Sequence, residues 1–246
     1  GSSRDFGAHA AILSGTSCST AATAAADEQA LRLDEERARA FARRFADMHA
    51  EVALGQYLDI AAEQTPLDPE RSDVLNVSDA LEVALHKSAH YSVVHPAILG
   101  AICGASTLDD GEALARSLEE ILTPWGLAFQ LRDDDLGVFG DPAVTGKPAG
   151  DDLREGKRTV LLALTWEASS PAERSALTEV LGVAEASPER LSAATRIVEA
   201  NGRAPHEAEI ARLVADGHAA LEASSFDDGA RAMLRELCAI LTARRA

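Results

Sequence analysis

An all-α fold is what this sequence predicts, on three observations. Aromatic residues make up only 4% of the 246, and Val, Ile, Thr and aromatic side chains do not cluster in the alternating stretches that half-buried strands need. Alanine runs are frequent, and Ala is the strongest helix former. Apolar residues recur at helical spacing along most of the chain, with charged residues between them. With 46% hydrophobic residues the chain can bury a substantial core, and one helical domain spanning residues 1–246 is expected.

The elements follow in order. Residues 27–62 carry Leu31, Phe41, Phe45, Met48, Val52 and Tyr57 loosely at helical spacing. Residues 79–94 read as a helix, and Pro96 starts the next segment. Residues 112–138 form a long candidate in which Pro124 marks a start or a kink. Ser170-Pro171-Ala172-Glu173 spells a capping box with Pro at the first helical position. Ser187-Pro188-Glu189 opens a further helix, which Asn201-Gly202 can close. Ile210, Leu213, Val214 and Leu221 form one stripe, and Met233, Leu234, Leu237, Ile240 and Leu241 another; both are expected to face the core. Residues 140–157, GDPAVTGKPAGDDLREGK, break the pattern with four glycines and two prolines. A loop of that length in a helical domain is more often functional than idle.

Charge and cysteine usage bound the function. A formal net charge of -17 makes bare nucleic acid a poor partner, since its binding needs a basic patch to displace counterions. Anionic substrates remain open, because a local Lys/Arg cluster with a bound cation can reverse the sign in one pocket. Cys18, Cys103 and Cys238 have neither metal-finger nor redox spacing and read as reduced thiols, so a cytoplasmic location is expected. No apolar run approaches the roughly 20 residues of a membrane span. Gly1-Ser2-Ser3-Arg4 has no signal-peptide plan, and the missing initial Met reads as a tag remnant or a cut into a longer chain.

The chemistry concentrates between residues 129 and 159. Gln130, Asp133, Asp134 and Gly137 are spaced i, i+3, i+4 and i+7, so they share one helix face. Two carboxylates and an amide there suit magnesium, which takes a few carboxylate oxygens, keeps waters, and draws its remaining ligands from phosphate. Gly137 would leave that face open for a bulky ligand. A lone Asp-Asp pair is ordinarily a solvated face, but Leu127, Ala128, Phe129, Leu131, Leu136, Val138 and Phe139 predict a largely buried helix, where unpaired carboxylates are costly. Lys147, Lys157 and Arg158 bring positive charge suited to phosphate, with Gly146 and Gly150 flanking Lys147. Asp151 and Asp152 either orient these lysines or lie in solvent. His86 and His90 stand four apart but lack a third or fourth zinc ligand at suitable spacing, so they are read as bordering Lys87 or facing solvent.

The run FQLRDDDLGVFGDPAVTGKPAGDDLREGKRT, Phe129 to Thr159, resembles the second aspartate-rich region of bacterial trans-isoprenyl diphosphate synthases of the farnesyl and geranylgeranyl type. GQYLD, Gly55 to Asp59, resembles that family's GQ-x-x-D helix, and HKSAHYSVVHP, His86 to Pro96, its Lys-Thr/Ser helix followed by Tyr. The resemblance covers nearly the whole chain. It implies a helical bundle around a central apolar cavity, and a homodimer. It implies Mg2+ held by Asp133 and Asp134, Gln130 and Gln56 near the metal cluster, and Lys87, Lys147 and Lys157 on an allylic diphosphate. Ser88 and the Lys87 carbonyl would face the developing allylic cation. The implied reaction is ionisation of an allylic prenyl diphosphate, alkylation of isopentenyl diphosphate, and proton loss.

The sequence also departs from that family. The first aspartate motif, DDxxD followed by Arg-Arg, is absent, and so are the Lys, Arg and His of the isopentenyl site. Asp109-Asp110-Gly111 and Asp227-Asp228-Gly229 read as turns or helix starts rather than substitutes. Thr16 stands in place of an Asp, and His95 in place of an Arg. Three readings follow: part of a longer synthase, a noncatalytic subunit of a heteromeric synthase, or a class I terpene cyclase. The GKPAGDDLREGKRT loop speaks against the cyclase.

Overall fold

The structure is a computed structural model that describes residues 3–146 and 149–243. Among these residues every regular element is a helix. The first, α1, spans Ser3–Ala30, and α2 spans Glu35–Glu63. The break between them falls at residues 31–34, inside the stretch expected as one helix. Asp34 causes it: its carboxylate accepts the Arg37 N–H at 3.0 Å, and Glu35 and Glu36 follow in the first turn, where negative charge meets the positive end of the helix dipole.

The next three elements run on without a gap. They are α3 (Val77–Ala84), a π-helix (Leu85–Val94) and α4 (His95–Gly104). The wider turn is explicit at its end, where the His95 N–H bonds the carbonyl of His90, five residues back. Pro96 sits in the first turn of α4.

The long helix α5, Leu108–Phe139, is the centre of the molecule. Thr107 caps it by accepting the Asp110 N–H, and Asp109 and Asp110 occupy its first turn as a helix start. It runs through Pro124 rather than starting there. Two clusters of buried apolar side chains lie along it. One gathers Ala128, Leu131 and Val138 with Trp166 and Leu161; the other gathers Ile121, Leu122 and Trp125 with Ile98 and Ile102.

The 140–157 segment is less irregular than its composition suggests. It holds two short helices, α6 (Pro142–Thr145) and α7 (Asp151–Glu155), and the chain turns at Gly146 and Gly150 with φ 72° and 73°. Helix α8, Val160–Ala168, is apolar nearly all round and accordingly buried. Then come α9 (Pro171–Thr178), α10 (Pro188–Asn201), α11 (Arg203–Ala223) and α12 (Asp228–Thr242). The Ser170–Glu173 capping box forms as its sequence spells it. Gly202 separates α10 from α11, and Asp227 caps α12.

Helix α11 packs on α5 where Gly217 meets Trp125: a Cβ at Gly217 would lie 2.3 Å from the indole nitrogen, which donates to the Val214 carbonyl at 3.2 Å. Ile210, Leu213 and Leu221 are buried, as their stripe predicts. The second stripe is only half right. Leu234, Leu237 and Leu241 pack inward, but Met233 and Ile240 are 72% and 65% exposed, so the buried face of α12 is narrower than its apolar content.

Candidate active site

Three residues of α2, Glu51, Gly55 and Asp59, are spaced i, i+4 and i+8 and so form one stripe. That stripe lies against the π-helix. The contact at Gly55 is backbone on backbone: a Cβ there would come within 2.3 Å of the Lys87 nitrogen and 2.4 Å of the His86 carbonyl carbon. Only glycine permits the approach, and it places Asp59 beside Lys87, whose ammonium donates to Asp59 Oδ2 at 2.6 Å. Both side chains are largely buried. Ser88 follows, buried, on the same element, and Gly126 of α5 packs on Ala89.

Across from Lys87 stands the acidic face of α5. Gln130 Nε2 donates to Asp134 Oδ1 at 2.7 Å, the i, i+4 pairing expected of that helix face. Asp133 is exposed, whereas Asp134 is only 5% exposed. Burial pushes the Asp134 carboxyl up to a pKa of about 8; the Gln130 bond opposes that rise, Asp152 adds to it, Lys87 opposes it, and Asp133 adds to it. Asp135, although adjacent, turns away. It lies 3.6 Å from Arg203 and 4.0 Å from Arg132, and so belongs to the α5–α11 contact.

The loop contributes Asp152 and Lys157. Lys157 Nζ donates to Asp152 Oδ1 at 2.6 Å and lies 3.0 Å from Glu155. Burial disfavours its charge, but these carboxylates outweigh burial and raise its pKa. Asp152 therefore orients a lysine, one of the two roles open to it. It also corrects the reading of Gly137. The space beside that glycine is filled by Asp152, and a Cβ would lie 2.0 Å from its Oδ2. Arg158 donates to the Gly156 carbonyl at 2.6 Å and to the Glu63 carbonyl at the end of α2 at 3.3 Å. Gln56 is exposed on α2, and no hydrogen bond joins it to the α5 carboxylates among the described residues. Lys147 lies outside the described residues.

A family model described as Polyprenyl synthetase matches residues 2–198. The chain belongs to the polyprenyl synthetase family. A geranylfarnesyl diphosphate synthase of Aeropyrum pernix is 31% identical over 209 residues, 85% of this chain and 61% of that one. A (2E,6E)-farnesyl diphosphate synthase of Mycobacterium tuberculosis is 31% identical over 231 residues, 90% of this chain and 59% of that one. The chain thus spans about three fifths of the length of these polyprenyl synthetase relatives. Among solved structures, the geranylgeranyl pyrophosphate synthase of Corynebacterium glutamicum, complexed with isoprenyl diphosphate and magnesium, superposes with a TM-score of 0.75 at 39% identity. That match covers 87% of this chain and 57% of the other. A polyprenyl synthetase of Streptomyces coelicolor gives 0.74 at 28% identity, covering 89% and 63%.

The expected all-α isoprenoid-synthase fold therefore holds. Asp59, Asp152 and Glu51 were not among the expected site residues. The GQ-x-x-D resemblance was the available signal for Asp59, and the i, i+4, i+8 stripe on α2 the one for Glu51. Asp152 was read as orienting the lysines or lying in solvent; its place beside Gly137 follows from α7 folding back onto α5. No helix among the described residues is long and apolar enough to cross a membrane.

Proposed function

We propose that this polyprenyl synthetase family member is a magnesium-dependent trans-prenyltransferase that joins an allylic prenyl diphosphate to isopentenyl diphosphate. The observation that carries the reading is Asp134: a buried carboxyl beside Asp133 and Asp152, with one amide donor and a lysine near it. The donors are hard oxygens, few in number and next to phosphate-binding charge, which fits magnesium and does not fit a soft metal. Asp133 and Asp134 would hold the ion, which supplies positive charge at the diphosphate as the C–O bond weakens.

The chain's own residues do the rest. Gln130 fixes the Asp134 carboxylate through its amide. Lys87 is held by Asp59 within reach of the same carboxyl and binds diphosphate oxygen as a point charge. Asp152 holds Lys157 so that a second ammonium borders the site. The C–O bond breaks with its electron pair on the diphosphate. The isopentenyl double bond then attacks the allylic carbon, and the proton lost from the adduct passes to the departing diphosphate. Positive charge aimed at the leaving group before the bond breaks is the main source of rate. The carbonyl of Lys87 and the Ser88 hydroxyl face the allylic cation. The prenyl tail is assigned to a central apolar cavity, as the family resemblance implies. A single domain, a homodimer and a cytoplasmic location belong to the same proposal.

Product analysis tests it. The chain is incubated with magnesium, farnesyl or geranyl diphosphate, and labelled isopentenyl diphosphate. A longer labelled prenyl diphosphate that Asp134→Ala loses is the expected result. A hydrocarbon formed without isopentenyl diphosphate would make the chain a cyclase. No turnover until a second subunit is added would make it a partner in a heteromeric enzyme.

A further inference from the structure

Away from the diphosphate site, at the other end of the same helix pair, three histidines converge on one carboxylate. Glu51 Oε1 lies 2.6 Å from His86 Nδ1 and 2.6 Å from His90 Nδ1, and Glu51 Oε2 lies 2.6 Å from His95 Nε2. Burial works against the charge on Glu51, yet hydrogen bonds from His95, His86 and His90 hold its pKa down at about 2. The rings stand edge to face, His86 to His90 and His90 to His95, each pair with centroids 5.8 Å apart.

The π-helix makes this possible. In an α-helix, at about 100° per residue, His86 and His95 would point to opposite sides. At about 4.4 residues per turn, nine residues bring them back to within roughly 20° of each other. The helix hydrogen bond from His95 to His90 belongs to that wider turn.

We propose that Glu51, His86, His90 and His95 form a binding site for a zinc-class divalent cation, separate from the magnesium site. Three imidazoles and one carboxylate are a four-ligand set suited to zinc, whereas magnesium prefers oxygen. Ligand atoms of Glu51, His90 and His95 all lie within 4.8 Å of one another. A tetrahedral ion with bonds near 2.1 Å needs separations of about 3.4 Å, which is inside that range. His86, which meets Glu51 at 2.6 Å but lies outside that group of three, is assigned as the fourth ligand. Its Nε2 lies 3.3 Å from Glu82, the kind of outer carboxylate that fixes a ligating imidazole with the proton on the far nitrogen. His90 is 16% and His86 29% exposed, so an ion has a way in from solvent. The ion would tie α2 to the π-helix and α4, next to the Gly55 contact that positions Lys87.

The test uses the whole chain stripped with a chelator. Zinc is titrated against a chromophoric competitor, with and without millimolar magnesium. One zinc per chain, indifferent to magnesium, is expected. His90→Ala with His95→Ala should weaken it by about 100-fold or more, since loss of an outer partner alone costs up to that. Zinc at about 100 times its Kd should raise Tm by roughly 5 °C in the parent and not in Glu51→Gln, which keeps the shape of the side chain. X-ray absorption on the zinc-loaded parent covers the case in which the double variant does not fold: nitrogen and oxygen neighbours with imidazole scattering support the site. Sulfur neighbours, less than half a zinc per chain at micromolar free zinc, or undiminished zinc binding in either variant would overturn it.

Discussion

Asp134 should release a proton when the metal binds. Its carboxyl titrates near 8 in the metal-free protein, so at pH 7 about nine-tenths of the chains carry it protonated. A metal needs the carboxylate, and binding must expel that proton. Ionising the group without a cation costs on the order of 5 kcal/mol relative to its ordinary value of 3.8, which is what the ion has to offset. The sign follows directly: beyond the ligand's own protonation, Asp134 lowers affinity for magnesium with diphosphate about tenfold per pH unit well below 8, and this contribution levels off above it. Calorimetric titration with magnesium and inorganic diphosphate, repeated at one pH in buffers of different ionisation enthalpy, counts the protons. Magnesium added to diphosphate alone gives the ligand's own share. Beyond that share, about 0.9 proton should be released at pH 7 and about 0.1 at pH 9. Asp134→Asn should release none beyond the ligand's share. Equal release by parent and Asp134→Asn would show that Asp134 is not a ligand, and the assignment of the acidic face would fall with it.

Three further outcomes concern stability. Gly55→Ala forces a Cβ against the backbone of residues 86 and 87, which cannot move as a side-chain tip can. After the roughly 1 kcal/mol that Ala gains in a helix, it should still lose about 1–3 kcal/mol in urea unfolding. Gly100→Ala, with nothing within 4 Å, should gain about 0.5–1 kcal/mol in the same assay. His206 is fully buried with both ring nitrogens unpartnered among the described residues, and burial pushes its pKa down to about 4 from 6.5. The unfolded chain therefore binds the proton more readily. The stability of the neutral ring is present above about 6.5 and is lost, by up to about 3 kcal/mol, as pH falls from there toward 4. His206→Leu should remove that share of the acid sensitivity between pH 6.5 and 4, measured by urea unfolding at each pH; an unchanged slope would count against a neutral buried ring.

Most of what positions the site was legible because it is local. The i, i+3, i+4 pattern of Gln130, Asp133 and Asp134 follows from α-geometry, as do the caps at Ser170, Ser187 and Asp227. What escaped depends on tertiary packing or on an assumed period. Gly137 read as space for a ligand, but α7 returns and Asp152 fills it. Met233 and Ile240 read as core because apolar residues at helical spacing ordinarily are, yet among the described residues nothing packs over that side of α12. His86 and His90 meet Glu51 through the packing of α2, and His95 joins them through the π-turn, neither of which a count at 3.6 residues per turn shows.

The π-helix joins the two ends of the α2 stripe. Glu51 and Asp59 are eight residues apart, about 12 Å along α2. The π-helix runs antiparallel beside them, so that residue 95 and residue 90 meet Glu51 while residue 87 meets Asp59. Between them the backbones touch at Gly55, leaving no slack for one end to shift without the other. An α-turn in the same segment could keep Lys87 on Asp59, but it would carry His95 to the far side and leave Glu51 with fewer partners in a largely buried position. The wide turn satisfies both contacts at once. That is a physical reason for the less favourable geometry to persist here: Lys87, the proposed diphosphate ligand, is held in register by a cluster centred on Glu51 that begins at its chain neighbour His86.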